Sequence, residues 1–414
     1  MTTLTQIQMP PQARTLDALR YDNFRKFFIG QLVSVSGTWT QRVAQGWLVF
    51  HLTQSELWLG LVACAAGIPT LFFAPFAGVL VDRYPRRQIM LATQIALLIT
   101  AFILAILTFT HTVQVWHVMV LASISGIAVS FEAPARHTLI SDMVGLESLN
   151  SGIALNSIMM NASAVIGPML AGILLIEVGP AWCFMLNSAS FLAVIISLVL
   201  INIQNVTRRI GDLHPLQQLR EGLSFSRHHP TIRPLLMLAA FNSVLGLNMV
   251  NTLLPAFSAD VLDAPKSGLA AIAAAMGIGS VIGGTVNVAL GRYLGRGRFM
   301  SGATFVAPLL LLVFSRIAYL PLNLIVIGCA GFSFMSFYVT TNTLIQSQVM
   351  DEYRGRVLSL YTLTFLGLAP LGALFIGLAA QAIGSAHVMT ICAIVDGIAC
   401  MWVVMHSPDM RALA

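Results

Sequence analysis

Residues 57–81 read LWLGLVACAAGIPTLFFAPFAGVLV, residues 82–87 read DRYPRR, and residues 88–110 read QIMLATQIALLITAFILAILTFT. Two long uncharged stretches flank a short basic break. A helix that crosses a bilayer needs about 20 apolar residues, and each stretch exceeds that length. In hydrocarbon, a lone segment satisfies its backbone N–H and C=O groups only by forming a helix. Pro85 ends the first helix, because proline has no N–H to donate and restricts the residue before it. The stretch therefore reads as two membrane spans joined by a basic loop.

The same pattern extends both ways along the chain. Apolar runs at about 27–50, 57–81, 88–110, 115–135, 152–176 and 181–203 precede a polar segment, and runs at about 232–255, 268–290, 300–320, 322–346, 357–383 and 387–406 follow it. The 414 residues are 57% hydrophobic and 9% charged, against about 25% charged for a soluble domain. That balance excludes a soluble enzyme, and it excludes a disordered chain, which needs low hydrophobicity and high charge. A membrane barrel would need alternating strands of about ten residues, and none is present. The five cysteines, Cys64, Cys183, Cys329, Cys392 and Cys400, lie inside apolar runs and form no CxxC pair, so neither a disulfide nor a metal site is expected. The start of the chain up to Lys26 lacks a signal-peptide pattern. The fold expected is an all-α membrane protein of twelve transmembrane helices.

Basic residues set the orientation. With the N-terminus inside, the inner segments hold nineteen: Arg14, Arg20, Arg25, Lys26, Arg83, Arg86, Arg87, Arg136, Arg208, Arg209, Arg220, Arg227, Arg233, Arg292, Arg296, Arg298, Arg354, Arg356 and Arg411. The outer side holds Lys266 and Arg316, and Arg42 lies within the first helix. A helix miscounted early in the chain would erase this asymmetry, so both termini are expected in the cytoplasm and the protein in the cell (inner) membrane. The net charge of +6 then belongs with anionic lipid and topology rather than nucleic acid. The polar stretch Gln204–Thr231 divides the chain into a six-helix bundle over 1–203, a cytoplasmic linker with a surface amphipathic helix over 204–231, and a second six-helix bundle over 232–414.

The halves look repeated. A shift of 205 positions lays Thr138-Leu139-Ile140 on Thr343-Leu344-Ile345, Leu155 on Leu360, Gly167 on Gly372 and Gly172 on Gly377. At a slightly different offset, Asp82-Arg83-Tyr84-Pro85-Arg86-Arg87 is echoed by Gly291-Arg292-Tyr293-Leu294-Gly295-Arg296. In the first copy, Gly78 admits a neighbouring helix. Asp82 is an acid at the membrane boundary that can pair with arginine or face a helix N-terminus. Gly78, Asp82, Arg83, Arg86 and Arg87 thus read as a cytoplasmic gate or latch between the halves. In the fifth helix, Ser163, Gly167, Pro168, Ala171 and Gly172 place small residues at helical spacing beside a proline, which permits a tight crossing and a bend.

The Gly78–Arg87 segment resembles the loop signature of the major facilitator superfamily, and its weaker copy at Gly291–Arg296 lacks the aspartate. Ser163–Gly172 is similar to the superfamily's helix-5 motif GxxxGPxxGG, which is associated with exporters of the antiporter kind, with Ser163 and Ala171 in place of two glycines. Gly37-Thr38-Trp39-Thr40-Gln41, Val43-Ala44-Gln45-Gly46-Trp47, Pro134-Ala135-Arg136 and Arg354-Gly355-Arg356-Val357 resemble the bacterial branch that includes the enterobactin exporter and macrolide-efflux-like proteins. Related proteins often carry an aspartate where Thr38 stands, so this chain has no titratable group at that position. The resemblance implies alternating access between two bundles, with helices 1, 4, 7 and 10 lining a central site.

Polar stripes point the same way. Gln31, Ser34, Thr38, Gln41, Arg42 and Gln45 fall within about a 100° arc of the first helix. Such a stripe should face a water-filled cavity or the bundle interface rather than lipid. Ser333, Ser336, Thr340, Thr343 and Ser347 form a similar arc in the tenth helix, and Asn150, Ser157 and Asn161 one in the fifth; polar contacts between helices would explain these equally well. Thr38, Gln41, Arg42, Gln45, Asn161, Asn248 and Thr340 are the expected cavity residues. Glu132 and Arg136, four apart on one helix face, and Asp396 in the twelfth helix are candidates for proton coupling. No GxGxxG, GxxxxGK[ST] or HExxH occurs, so no cofactor is expected and an ion gradient would supply the energy. The expected function is proton-coupled export of a small amphipathic molecule, such as a drug or siderophore, by a monomer. A lipid flippase, a nutrient importer or a ligand-sensing membrane protein would share these features.

Overall fold

A computed structural model describes residues 16–145, 147–201 and 215–411. After a short 3-10 turn at Asp17–Arg20, six helices follow: α1 (Asp22–Thr53), α2 (Glu56–Arg83), α3 (Arg86–Phe109), α4 (Val115–Val144), α5 (Leu149–Glu177) and α6 (Pro180–Leu200). Helix α7 (Pro215–His228) lies in the linker. The second half holds α8 (Ile232–Phe241), α9 (Asn248–Asp260), α10 (Ser267–Leu294), α11 (Arg296–Phe314), α12 (Leu320–Gln348), α13 (Asp351–Thr362), α14 (Ala369–Ile383), α15 (Ser385–Met405) and the short α16 (Pro408–Arg411). No strand occurs among the described residues.

Eleven helical segments among the described residues are long and apolar enough to cross a membrane. α1 spans 32 residues, but its polar stripe keeps it out of that set. The expected count of twelve is reached when α1 is included. Helix ends lie within a few residues of the apolar runs, with three exceptions, one of them α11, which ends at Phe314 rather than near 320. α4 continues past Pro134 and Arg136 to Val144, carrying Asp142 on a helix rather than in a loop. The eleventh run begins at Asp351, because α13 extends it on the arginine-rich side.

Two of the spans are interrupted by wider π turns. Asn242–Leu247 joins α8 to α9, and Leu363–Gly367 joins α13 to α14. A π turn disturbs the regular i to i−4 bonding, and here the two turns meet. The Ser243 hydroxyl donates to the Phe365 carbonyl at 2.5 Å, and the Asn248 amide donates to the Ala369 carbonyl at 2.6 Å.

Helices in a bilayer gain little from hiding apolar surface from one another, so close packing must hold them. Glycines supply it. A Cβ on Gly279 of α10 would lie 1.8 Å from the Gly328 carbonyl oxygen of α12, and one on Gly331 would lie 2.2 Å from that of Met276. A Cβ on Gly126 of α4 would lie 2.1 Å from the Ala66 carbonyl oxygen of α2. Backbone therefore touches backbone in both halves. Larger side chains fill the remaining core, as where Phe257 stacks on Phe314 at 4.8 Å between ring centroids.

The linker helix is pinned to the second half. Glu221 pairs with Arg356 at 2.9 Å, and Phe225 stacks on Tyr353 at 4.8 Å with the rings 11° from parallel. α7 therefore rides with α13. Gly279→Leu should force α10 and α12 apart and lower the melting point of the purified protein in detergent, by an amount equivalent to at least about 1–3 kcal/mol. Gly302→Ala, with nothing within 4 Å of the added carbon, should leave it unchanged or slightly raised.

Candidate functional site

The two halves meet along a seam on the side of the molecule poor in arginine. A Cβ on Gly60 of α2 would lie 2.5 Å from the Ala373 carbonyl oxygen of α14, and one on Gly377 would lie 2.8 Å from that of Glu56. On the opposite flank, a Cβ on Gly172 of α5 would lie 2.8 Å from Ala270 of α10, and one on Gly277 would lie 2.5 Å from the Ala164 carbonyl oxygen. Pro168 lacks the N–H that would bond that carbonyl within α5, so the freed oxygen faces the glycine of the other half. Ser55 hydrogen-bonds Gln381, and the Lys266 ammonium stands 5.2 Å from the Trp47 ring. A Cβ on Gly46 of α1 would meet Pro255 of α9 at 2.9 Å. The seam descends to mid-height, where a Cβ on Gly367 would meet Leu71 at 2.8 Å. Further toward the arginine-rich end, Gly78 of α2 has nothing within 4 Å among the described residues.

This one-sided contact decides where the polar residues lie. α6 packs on the side of α1 that carries Gly30 and Gly37, and α5 on the side that carries Ser36 and Thr40. Arg42 is one helical turn below Gly46 and on the same face, so it points toward the second half just beneath the seam. It is exposed, its guanidinium carbon stands 4.9 Å from the centre of the Trp39 ring, and it makes no ion pair among the described residues. It lies about 30 Å along α1 from Asp22, at 1.5 Å per residue. Thr38, one turn lower and half-buried, donates its hydroxyl to the Ser34 carbonyl at 3.0 Å. Gln45 is half-buried on the same helix.

Asn161 is half-buried and one turn below Val165, which borders Gly277 across the seam. Asn248 is two turns below Pro255 on α9, with its amide held by the Ala369 carbonyl. Arg42, Thr38 and Asn161 thus lie on faces turned toward the second half beneath the seam, whereas the Asn248 amide is turned to α14 of its own half. Two other expected cavity residues are directed elsewhere. The Gln41 side-chain oxygen accepts a 2.7 Å hydrogen bond from Asn187 of α6, and Thr340 is buried and accepts one of 2.7 Å from Asn287 of α10. Asn187 and Asn287 were not singled out in the sequence, although each is a lone amide in an apolar helix and so needs a partner.

Glu132 and Arg136 are both buried and 3.5 Å apart, and Arg136 also donates to the sulfur of Met160 on α5 at 3.6 Å. The pair joins α4 to α5 one residue from Asn161. Asp396 is enclosed within the second half, where α15 packs on α8, α11 and α14. The Cys400 thiol donates to one of its oxygens at 3.6 Å, and the other has no partner among the described residues.

At the arginine-rich end, the basic loop works within the first half. Arg86 pairs with Asp142 at 2.5 Å, tying the start of α3 to the end of α4. Arg87 donates to the carbonyls of Leu198 and Val199 at 2.6 and 3.0 Å, which satisfies the last turn of α6. Arg83 is exposed. The side chains of Asp82, Arg292, Tyr293, Glu352, Arg354 and Arg411, together with residues 1–15 and 202–214, lie outside the described residues. The helix-5 motif is a packing device. Ser163 accepts a 3.1 Å hydrogen bond from Ser36, and a Cβ on Gly167 would lie 2.3 Å from that of Trp39. Ala171 is fully buried, and Gly172 carries the seam.

The sequence matches the family described as transmembrane secretion effector over residues 13–413. The chain belongs to that family of the major facilitator superfamily. It is a multi-pass membrane transporter and not an enzyme. The transporter is 25% identical to macrolide efflux protein A of Streptococcus pyogenes over 380 residues, which covers 89% of this chain and 93% of that one. It is 26% identical to the staphyloferrin A transporter of Staphylococcus aureus over 371 residues, covering 88% and 91%. It is 23% identical to the multidrug efflux pump Tap of Mycolicibacterium fortuitum over 361 residues, covering 85% and 88%. The fold is shared with the nucleoside transporter NupG, at a TM-score of 0.74 and 13% identity over 93% of this chain and 99% of that one. It is shared also with an inward-facing bacterial homologue of the iron transporter ferroportin, at a TM-score of 0.71 and 16% identity over 94% and 99%.

Asp142→Asn should leave the Arg86 guanidinium, 6% exposed, without a counter-charge. The expected loss is about 3–5 kcal/mol, read as a lower melting point and lower yield in membranes. Replacing both residues by glutamine should cost less than removing the aspartate alone.

Proposed function

We propose that the transporter exports a small amphipathic molecule from the cell, in exchange for protons, by alternating access in the cytoplasmic membrane. The observation that carries this reading is the seam: α2 with α14, α5 with α10 and α1 with α9 touch at the arginine-poor end, while at the other end Gly78 has nothing within 4 Å among the described residues and α2 touches the linker helix α7. Basic residues favour the cytoplasmic side, so this arrangement is open inward, which is the state in which an exporter loads. Both termini are then cytoplasmic. The macrolide, multidrug and staphyloferrin A cargoes of the relatives' names support a cargo with both apolar and polar parts.

Within the inward-facing space, Arg42 supplies a cation beneath the seal, and Thr38 and Asn161 supply hydrogen-bonding groups. A cationic group in the membrane costs several kcal/mol unless water or an anion reaches it, and Arg42 is exposed and makes no ion pair among the described residues. It is suited to a polar or anionic part of the cargo. Glu132 is the proposed proton carrier, held by Arg136 at 3.5 Å; protonation would free Arg136 and loosen the join between α4 and α5. Closing the arginine-rich end would bring a helix against Gly78, with Asp82 and Arg83 as the latch.

Inverted vesicles containing the transporter test the proposal directly. Fluorescent amphipathic drugs, a macrolide and siderophores should accumulate when a proton gradient is imposed. An uncoupler should abolish uptake, and both Asp82→Asn and Glu132→Gln should lower it at least tenfold. Uptake that ignores the gradient would remove the antiport mechanism, and absence of flux for every compound would remove export of this class of cargo. In a second measurement, Ser55→Cys with Gln381→Cys in a Cys329→Ser background, joined by a short bifunctional thiol reagent, should hold the seam shut and stop transport. Reversal of the link by a reductant-cleavable reagent should restore it.

A further inference from the structure

A cleft of about 920 Å3 opens between α10 and α11, with α12 as its floor. Its origin lies in the same glycines that zip α10 to α12. Gly279 rests on the Gly328 carbonyl, so these two helices touch, while Gly302 of α11 has no side chain to project and nothing within 4 Å among the described residues. Ile278, Ile282, Val306 and Ile325 line the cleft and are 47%, 49%, 44% and 65% exposed. Ala270 and Gly277, which face α5 across the seam, lie on a different face of α10 from Ala275, Ile278 and Ile282. The cleft is therefore separate from the space between the halves.

We propose that this cleft binds one anionic phospholipid from the arginine-rich leaflet, with an acyl chain along α12 and the phosphate at the start of α11. The lining is apolar almost throughout, and Arg298 stands at one end. From Arg298 to Leu310 is a rise of about 18 Å, close to the roughly 15 Å of one leaflet in a hydrocarbon core about 30 Å thick. Arg298 is exposed and Arg296 half-buried, and neither makes an ion pair or a side-chain hydrogen bond among the described residues. The exposed Asp409 sits on α16, which packs on α11, and bonds to neither. No side chain caps the start of α11, so its first N–H groups and the positive end of its dipole add to the two guanidiniums. An anionic headgroup answers that charge better than a zwitterionic one.

Native mass spectrometry of the purified transporter, with phosphatidylglycerol and phosphatidylcholine of identical acyl chains in equal amounts, tests the proposal. The wild-type protein should retain phosphatidylglycerol in preference. Arg298→Gln should reduce that preference about fivefold while leaving phosphatidylcholine retention unchanged. Gly302→Leu should reduce retention of both lipids by filling the chain's place. Melting curves check that each variant is folded, and either variant alone is decisive if the other is not. Equal retention of the two lipids by the wild-type protein would overturn the proposal. So would phosphatidylglycerol retention unaffected by the folded variants, or a macrolide that takes the cleft in place of lipid and is displaced by Gly302→Leu.

Discussion

The close approach of one helix backbone to another, at positions where a Cβ could not fit, is the constraint on which this molecule depends. Water drives soluble helices together, but lipid does not. Contact in the bilayer must come from dispersion between surfaces that fit, and carbonyl oxygens lying on glycine provide the tightest fit available. Within each half, this contact binds α2 to α4 and α10 to α12. Between the halves it builds the seam. What the glycines leave unfilled includes the cleft between α10 and α11.

The internal repeat is visible in these contacts as well as in the letters. Gly167 and Gly372 occupy matching positions, and each seats its helix on the leading helix of its own half. Gly167 meets Ser36, Trp39 and Thr40 of α1, and Gly372 meets Val244 and Asn248 at the π turn and α9. Gly172 and Gly377, five residues further on, then cross to the opposite half, the first to Ala270 of α10 and the second to Glu56 and Gly60 of α2. Each half therefore uses one glycine to hold itself together and another to meet its counterpart. Each half adds a polar fastening between the same two helices, though not at positions the shift equates: Thr40 donates to the Gly167 carbonyl at 3.0 Å, and Asn248 to that of Ala369 at 2.6 Å.

Most of the architecture was legible in the sequence, because lipid allows so few solutions. Runs of about 20 apolar residues can only be helices, and proline and charge mark where they stop. The small-residue pattern around Gly167 was legible for the same reason, since it describes a fit rather than a chemistry. The polar residues were harder to place. A stripe about 100° wide is shared by two neighbours, and periodicity does not say which neighbour takes which edge. Gln41 sits at the edge of its stripe and is claimed by Asn187 of α6, whereas Arg42, one residue on, looks toward the second half. Thr340 belongs to a stripe that could have faced water or another helix, and Asn287 takes it. The π turns left no trace that propensity could show, because they arise where Ser243 and Asn248 meet carbonyls of the other helix.

The seam is built of backbone and small apolar side-chain contacts, with one hydroxyl–amide hydrogen bond and one cation resting on an aromatic ring, and it contains no ion pair among the described residues. Parting two surfaces of this kind strips no counter-charge and leaves no buried ion behind, in contrast to breaking a buried salt bridge. In the alternating-access cycle proposed above, opening this seam would therefore break no ion pair among the described residues. Carrying a two-state protein from 1:99 to 99:1 takes about 5.5 kcal/mol, and one elementary charge moving through 100 mV supplies about 2.3 kcal/mol. A door hung on glycine can be swung by forces of the size a living membrane holds ready.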